Sequence, residues 1–195
     1  RIFEGTNEIN RMLIPGMLMK RAMSGQLGLL QAAQGLMDEI LSPQPASLDE
    51  DEAVLAAEAK LARNAKKVAL MVLGTAAQKF MAALSDEQEV LIGASNVIMD
   101  VFAMESAILR AQKLAASQGE EQAALYLDMV RVFCNDAVER VEAQAKNTLA
   151  ATVEGDELRT LLAALKRFTK QTPVNTVAPR RRIADAMIKA NKYVY

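Results

Sequence analysis

The residues with the most chemical potential open the chain, in Arg1-Ile-Phe-Glu-Gly-Thr-Asn-Glu-Ile-Asn-Arg11. Glu4 is a carboxylate preceded by Ile2 and Phe3. Apolar neighbours that desolvate a carboxylate raise its pKa, and a carboxylate titrating near neutral pH suits general-base work. Residue type alone favours a plainer reading, a solvated acid ahead of a helix. Gly5 permits positive φ or a close approach of backbone to a ligand. Thr6, Asn7 and Glu8 then open a helix, with Thr6 or Asn7 as the cap and Ile9, Met12 and Leu13 at helical spacing. The N–H groups and dipole of such a terminus favour an anion, and N-capping by Thr6 is the alternative use of the same residues. Arg11 follows in helical register and reads as an ion-pair partner.

Composition narrows the chemistry elsewhere. The 195 residues hold 23 basic and 24 acidic side chains, no histidine and one cysteine. A net charge of −1 gives no basic field for gripping phosphates, which argues against a nucleic-acid partner. Without histidine there is no Ser-His or Cys-His pair and no histidine-based metal centre, and no metal site is expected. Cys134, among Val132, Phe133 and Val138, reads as a small buried hydrophobe. Nothing beside it would activate a thiolate. The lone cysteine fits a reducing, intracellular setting. The chain begins at Arg1 and reads as a piece of something longer. No signal-peptide layout is present, and no uninterrupted apolar run reaches about 18 residues, the length of a membrane span.

Helices must position these residues. Half of the chain is hydrophobic and only 4% aromatic, and alanine, leucine, methionine, glutamate and lysine predominate, all strong helix formers. Alternating β-branched runs are absent. The spacing predicts an all-α antiparallel helical bundle. The first helix is expected to break at Pro15-Gly16, and a second to run from about Met17 to Leu41. Ser42-Pro-Gln-Pro45 reads as a linker. Two capping boxes, Ser47-Leu-Asp-Glu50 and Ser85-Asp-Glu-Gln88, predict helix starts. The helices they open extend to about Leu84 and Ser117. Gly119 reads as a C-terminal stop. Further helices are expected over about 120–153, 156–170 and 180–191. The domain reading is 1–46, then 47–195.

The opening string resembles the C-terminal signature of the acyl-CoA dehydrogenase family, in which an aromatic-Glu-Gly-Thr stretch sits between the last two helices of a flavoprotein core. Phe3-Glu4-Gly5-Thr6 matches it, and Asn7-Glu8-Ile9 and Arg11 extend it. The chain then continues to Tyr195, as in the very-long-chain branch, which appends a second helical domain. Val90 to Leu114, with Ile98-Met-Asp-Val-Phe-Ala-Met104 and Arg110-Ala-Gln, resembles the core helix of that extension. The resemblance implies that 1–46 ends the dehydrogenase core and 47–195 is the extension. It implies that Glu4 is the catalytic base, that Gly5 contacts the substrate, and that Thr6, Asn7 and Glu8 contact FAD. The activity implied is α,β-dehydrogenation of a long-chain fatty acyl-CoA. Electron-transfer flavoprotein is the implied acceptor and a homodimer the implied assembly. The implied location is the bacterial cytoplasm, or the mitochondrial matrix and inner-membrane face.

Other features have plainer readings. Residues 17–42 could supply the peripheral membrane contact of that branch, but the stretch ends acidic at Asp38 and Glu39. An interfacial helix wants a basic polar face, so packing against the bundle is the better account. Arg180-Arg-Arg182 reads as a solvated helix face, and the methionines as core filling. The competing view of the whole is a stand-alone helical interaction or membrane-docking module.

Overall fold

A computed structural model describes residues 5–42 and 53–192. The elements are α1 (Asn7–Met23), α2 (Leu29–Leu41), α3 (Ala56–Phe80), a 3-10 segment (Met81–Asp86), α4 (Gln88–Gln118), α5 (Glu120–Thr152), α6 (Gly155–Phe168) and α7 (Val177–Ala190). Among the described residues there is no strand. The expected all-α bundle is what forms.

Three long helices, α3, α4 and α5, pack on one another and build the core. Val68, Val72, Val97, Met104, Val141 and Leu149 are essentially inaccessible there. α6 closes one side with Leu161, Leu165 and Phe168. A single residue, Gly119, reverses the chain between α4 and α5. Its φ of +89° suits glycine. Its N–H donates to the Ala115 carbonyl at 2.9 Å, and its own carbonyl accepts from Ala123 at 3.1 Å. Gly93 lets α4 and α5 approach closely, since a Cβ there would stand 2.1 Å from Thr148 Oγ1.

α1 and α2 lie on this core. α1 packs against α4, and α2 against α3 and α6. Leu36 and Ile40 of α2 are buried with the main cluster. The acidic end of α2 is engaged too: Glu39 accepts from Lys67 Nζ at 2.7 Å, and its carbonyl accepts from Arg167 at 3.3 Å. One face of residues 17–42 thus packs on the bundle, while Met23 and Leu41 stay exposed.

Several expected boundaries differ. Pro15 does not break the first helix, which runs on to Met23. Proline at that point removes the hydrogen bond to the Arg11 carbonyl. The Ser95 hydroxyl of α4 donates to that carbonyl instead. The break falls at residues 24–28, so the second helix starts at Leu29 rather than Met17. The Ser85 box does not form: residues 81–86 coil as a 3-10 turn, and α4 begins after Glu87 with no side-chain cap. Met81 opens that turn at φ +52°. The Ser47 box and most of the Ser42–Pro45 linker lie outside the described residues. α7 starts three residues early, at Val177, because Asn175 Oδ1 accepts from the N–H groups of Val177 and Ala178 at 3.0 and 3.3 Å. Pro179 sits in its first turn, where no N–H is needed.

Two stretches, Ala56–Asp86 and Gln88–Gln118, are long and apolar enough to cross a membrane by length and composition. Counting uninterrupted runs misses them, because isolated charges interrupt each. Part of their apolar surface, including Val68, Val72, Val97 and Met104, is buried inside the bundle, while Met81, Phe102 and Leu109 stay exposed.

Candidate functional site

The site expected from the sequence lies at the N-terminal end of α1. Glu4 itself falls outside the described residues. The turn that follows it is well defined. Gly5 sits at φ +75°, a conformation that L side chains rarely adopt. A Cβ there would come 2.9 Å from Asn10 Oδ1. The side-chain amide of Asn10 donates back to the Gly5 carbonyl at 3.2 Å. Thr6 is the N-cap, as read: its Oγ1 accepts from the Ile9 N–H at 3.3 Å, and its carbonyl accepts from Asn10 N–H at 3.0 Å. The N–H groups of Asn7 and Glu8 are the first-turn donors that a helix leaves without carbonyl partners. Gly5, Thr6 and Glu8 are exposed, and Asn7 is half-buried.

Arg11 is the pivot of this end. It was expected to pair with an acid and instead meets an amide. Its Nε donates to Asn96 Oδ1 at 2.7 Å, and its Nη1 donates back to the Asn7 carbonyl at 3.1 Å. Asn96 in turn donates through Nδ2 to Gln144 Oε1 on α5, at 3.3 Å. Ser95, wholly buried beside Asn96, holds the Arg11 carbonyl. A polar chain therefore runs from α5 through α4 to the first turn of α1. Sequence reasoning missed Asn10, Ser95, Asn96 and Gln144. The available signal was the adjacent polar pair Ser95-Asn96 inside the apolar run from Val90 to Val101.

The remaining features carry structure. Cys134 is buried, and its thiol is pushed up to about 12, first by desolvation and then by the negative charge of Glu58. It is an inert core residue. The arginine cluster near the C-terminus is not a wholly solvated face. Arg182 grips Asp128 of α5 with two bonds, 2.7 and 2.8 Å. The Asp128 carboxylate beside it raises the Arg182 pKa. Arg180 pairs with Asp136. All three side chains remain exposed, as expected, while two of them pair. An apolar cavity of about 380 Å³ lies among α1, α2, α3 and α4, lined by residues such as Leu18, Leu29, Leu70 and Ile98. Lys66, its one charged lining residue, is paired with Glu105.

Comparison with known proteins agrees with the resemblance carried by the opening string. A family model described as "Acyl-CoA dehydrogenase, C-terminal domain" matches residues 64–167. The chain is 42% identical over 193 residues to a probable acyl-CoA dehydrogenase of Bacillus subtilis (strain 168), across 99% of this chain and 32% of that protein. It also superposes, with a TM-score of 0.94 and 42% identity, on the crystal structure of an acyl-CoA dehydrogenase complexed with FAD from Bacillus anthracis. That match covers 100% of this chain and 33% of the other. The chain thus spans about a third of the length of these relatives.

Proposed function

Since the chain belongs to the acyl-CoA dehydrogenase family, we propose that it is the C-terminal portion of an FAD-dependent enzyme oxidising long-chain fatty acyl-CoA to trans-2-enoyl-CoA. Glu4 is the base, and it removes the proton α to the thioester carbonyl. FAD, when bound, supplies the acceptor for the hydride that leaves Cβ. Gly5, turned to positive φ directly after Glu4, keeps the backbone free of a side chain where the substrate approaches. Thr6, Asn7 and Glu8 would hold the cofactor near its phosphates. Their fit is partial and sensible: exposed residues and first-turn N–H donors at a helix N-terminus suit an anion, while the acidic Glu8 points to a hydrogen-bonding rather than charge-pairing role. The other cofactor contacts belong to the roughly two thirds of the relatives' length that this chain does not span.

The observation that carries the proposal is the join of the sequence string 3–11 with the geometry of residues 5–11. The signature string runs into a glycine turn and a threonine-capped helix, as a positioned base requires. The long acyl substrate follows from the helical extension and is an argument from the family. The proposal includes a homodimer passing electrons to electron-transfer flavoprotein, in the bacterial cytoplasm or in the mitochondrial matrix and at its inner-membrane face.

The test is an absorption spectrum of the longest natural gene product, before and after a long-chain acyl-CoA is added. A flavin band that bleaches, and that Glu4→Gln leaves unbleached with flavin still bound, supports the assignment. A colourless protein of only this length overturns it in favour of a helical interaction module.

A further inference from the structure

The first turn of α1 is held from outside its own helix. Arg11 fastens the Asn7 carbonyl, Asn96 fastens Arg11, and Gln144 fastens Asn96. Ser95 holds the same residue's backbone through the Arg11 carbonyl. Both the guanidinium and the carbonyl of Arg11 are therefore referenced to two consecutive residues of α4. Two points on one residue fix rotation about the helix axis as well as height along it. The turn ahead is tied to the same register, because Asn10 holds the Gly5 carbonyl. Gly5 is the residue directly after Glu4.

We infer that Asn96, with Ser95 and Gln144, is a positioning residue for the segment that carries Glu4, so that the helical bundle sets the aim of the base. This rests on the proposed role of Glu4. It gives the bundle a task in the chemistry, beyond mass added to the enzyme. A displacement of about 1 Å at a reacting group is enough to cost on the order of a hundredfold in rate.

The experiment uses the whole natural enzyme with its flavin and a long-chain acyl-CoA. Asn96→Leu removes the acceptor for Arg11 and keeps the branching and the number of side-chain heavy atoms. With flavin content unchanged, kcat per bound flavin is expected to fall roughly ten- to a hundredfold, while KM stays within about threefold, the pattern of a lost transition-state alignment. Asn96→Asp retains the Oδ acceptor and should recover most of the rate. Gln144→Leu, which loosens Asn96 without removing it, should give an intermediate loss, and it serves if Asn96→Leu does not accumulate. A purely structural role predicts a lowered Tm with wild-type kcat per bound flavin in these variants, and that result overturns the inference. Glu4→Gln in the same assay keeps the two readings apart. If it turns over normally, the base assignment fails, whatever Asn96 does.

Discussion

The hydroxyl of Ser95 supplies the hydrogen bond that Pro15 cannot make. Pro15 has no N–H to offer the Arg11 carbonyl one turn back, and Ser95 donates to that oxygen from α4. Both residues are buried. A proline that would end an isolated helix is thereby carried inside α1.

Ser95→Ala should leave the carbonyl without a donor and cost about 1–3 kcal/mol of stability. Pro15→Ala restores an N–H in the helix. In that background Ser95→Ala should cost measurably less, a coupling of roughly 0.5–3 kcal/mol in a double-mutant cycle read by urea denaturation. Additive effects would show that the two residues act independently.

Gly93 gives a second prediction. Glycine to alanine in a helix interior ordinarily gains about 1 kcal/mol. Here the new methyl would meet Thr148 Oγ1 at 2.1 Å, within a helix pair that defines the core. Overpacking should win, and Gly93→Ala should destabilise by about 1–3 kcal/mol. Thr148→Ala removes the offending oxygen and should relieve part of that loss. Thermal unfolding of the two single variants and the double decides the matter; a stabilised Gly93→Ala would contradict the close approach.

Cys134 sets a pH dependence. An exposed thiol titrates near 9.0, whereas burial holds this one to about 12. Between those values the unfolded chain has lost its thiol proton and the folded chain has kept it. Fewer protons on the unfolded state means that stability falls as pH rises, by at most about 1.4 kcal/mol per pH unit. The loss should begin above pH 9.0 and be absent below it. Cys134→Ala should flatten the alkaline limb of a Tm-against-pH curve relative to the native protein. Identical limbs would mean that the thiol titrates normally.

The sequence made the bundle legible where local signals and tertiary demands coincide. Thr6 caps α1 as its hydroxyl and position suggest, Gly119 turns the chain where glycine is needed, and Leu161, Leu165 and Phe168 face inward at helical spacing. The failures share a cause. Pro15 reads as a breaker because its compensating donor stands 80 residues away, at Ser95. The Ser85 box reads as a cap because nothing in its four residues reveals that Met81 has already started a 3-10 turn. At the site, Glu4 to Glu8 stand out as a contiguous string. Asn96 is marked only by the polar pair Ser95-Asn96 in an apolar stretch, and Gln144 by nothing local, because their partners lie on other helices. Arg180 to Arg182 look like surface charge, since Asp128 and Asp136 become partners only after α7 folds back on α5.

That last contact sets the order in which the molecule comes apart. Of the residues in α7 only Pro179 is buried, so the helix is fastened largely by the arginine–aspartate clasps and little by apolar area. Such fastening weakens as salt screens its exposed members, whereas the α3–α4–α5 core strengthens or holds. α7 is therefore the natural first cooperative unit to open, a subglobal unfolding below the global transition. Its amide protons should exchange ahead of those of α5, and increasingly so at high ionic strength, with the remainder of the bundle still closed.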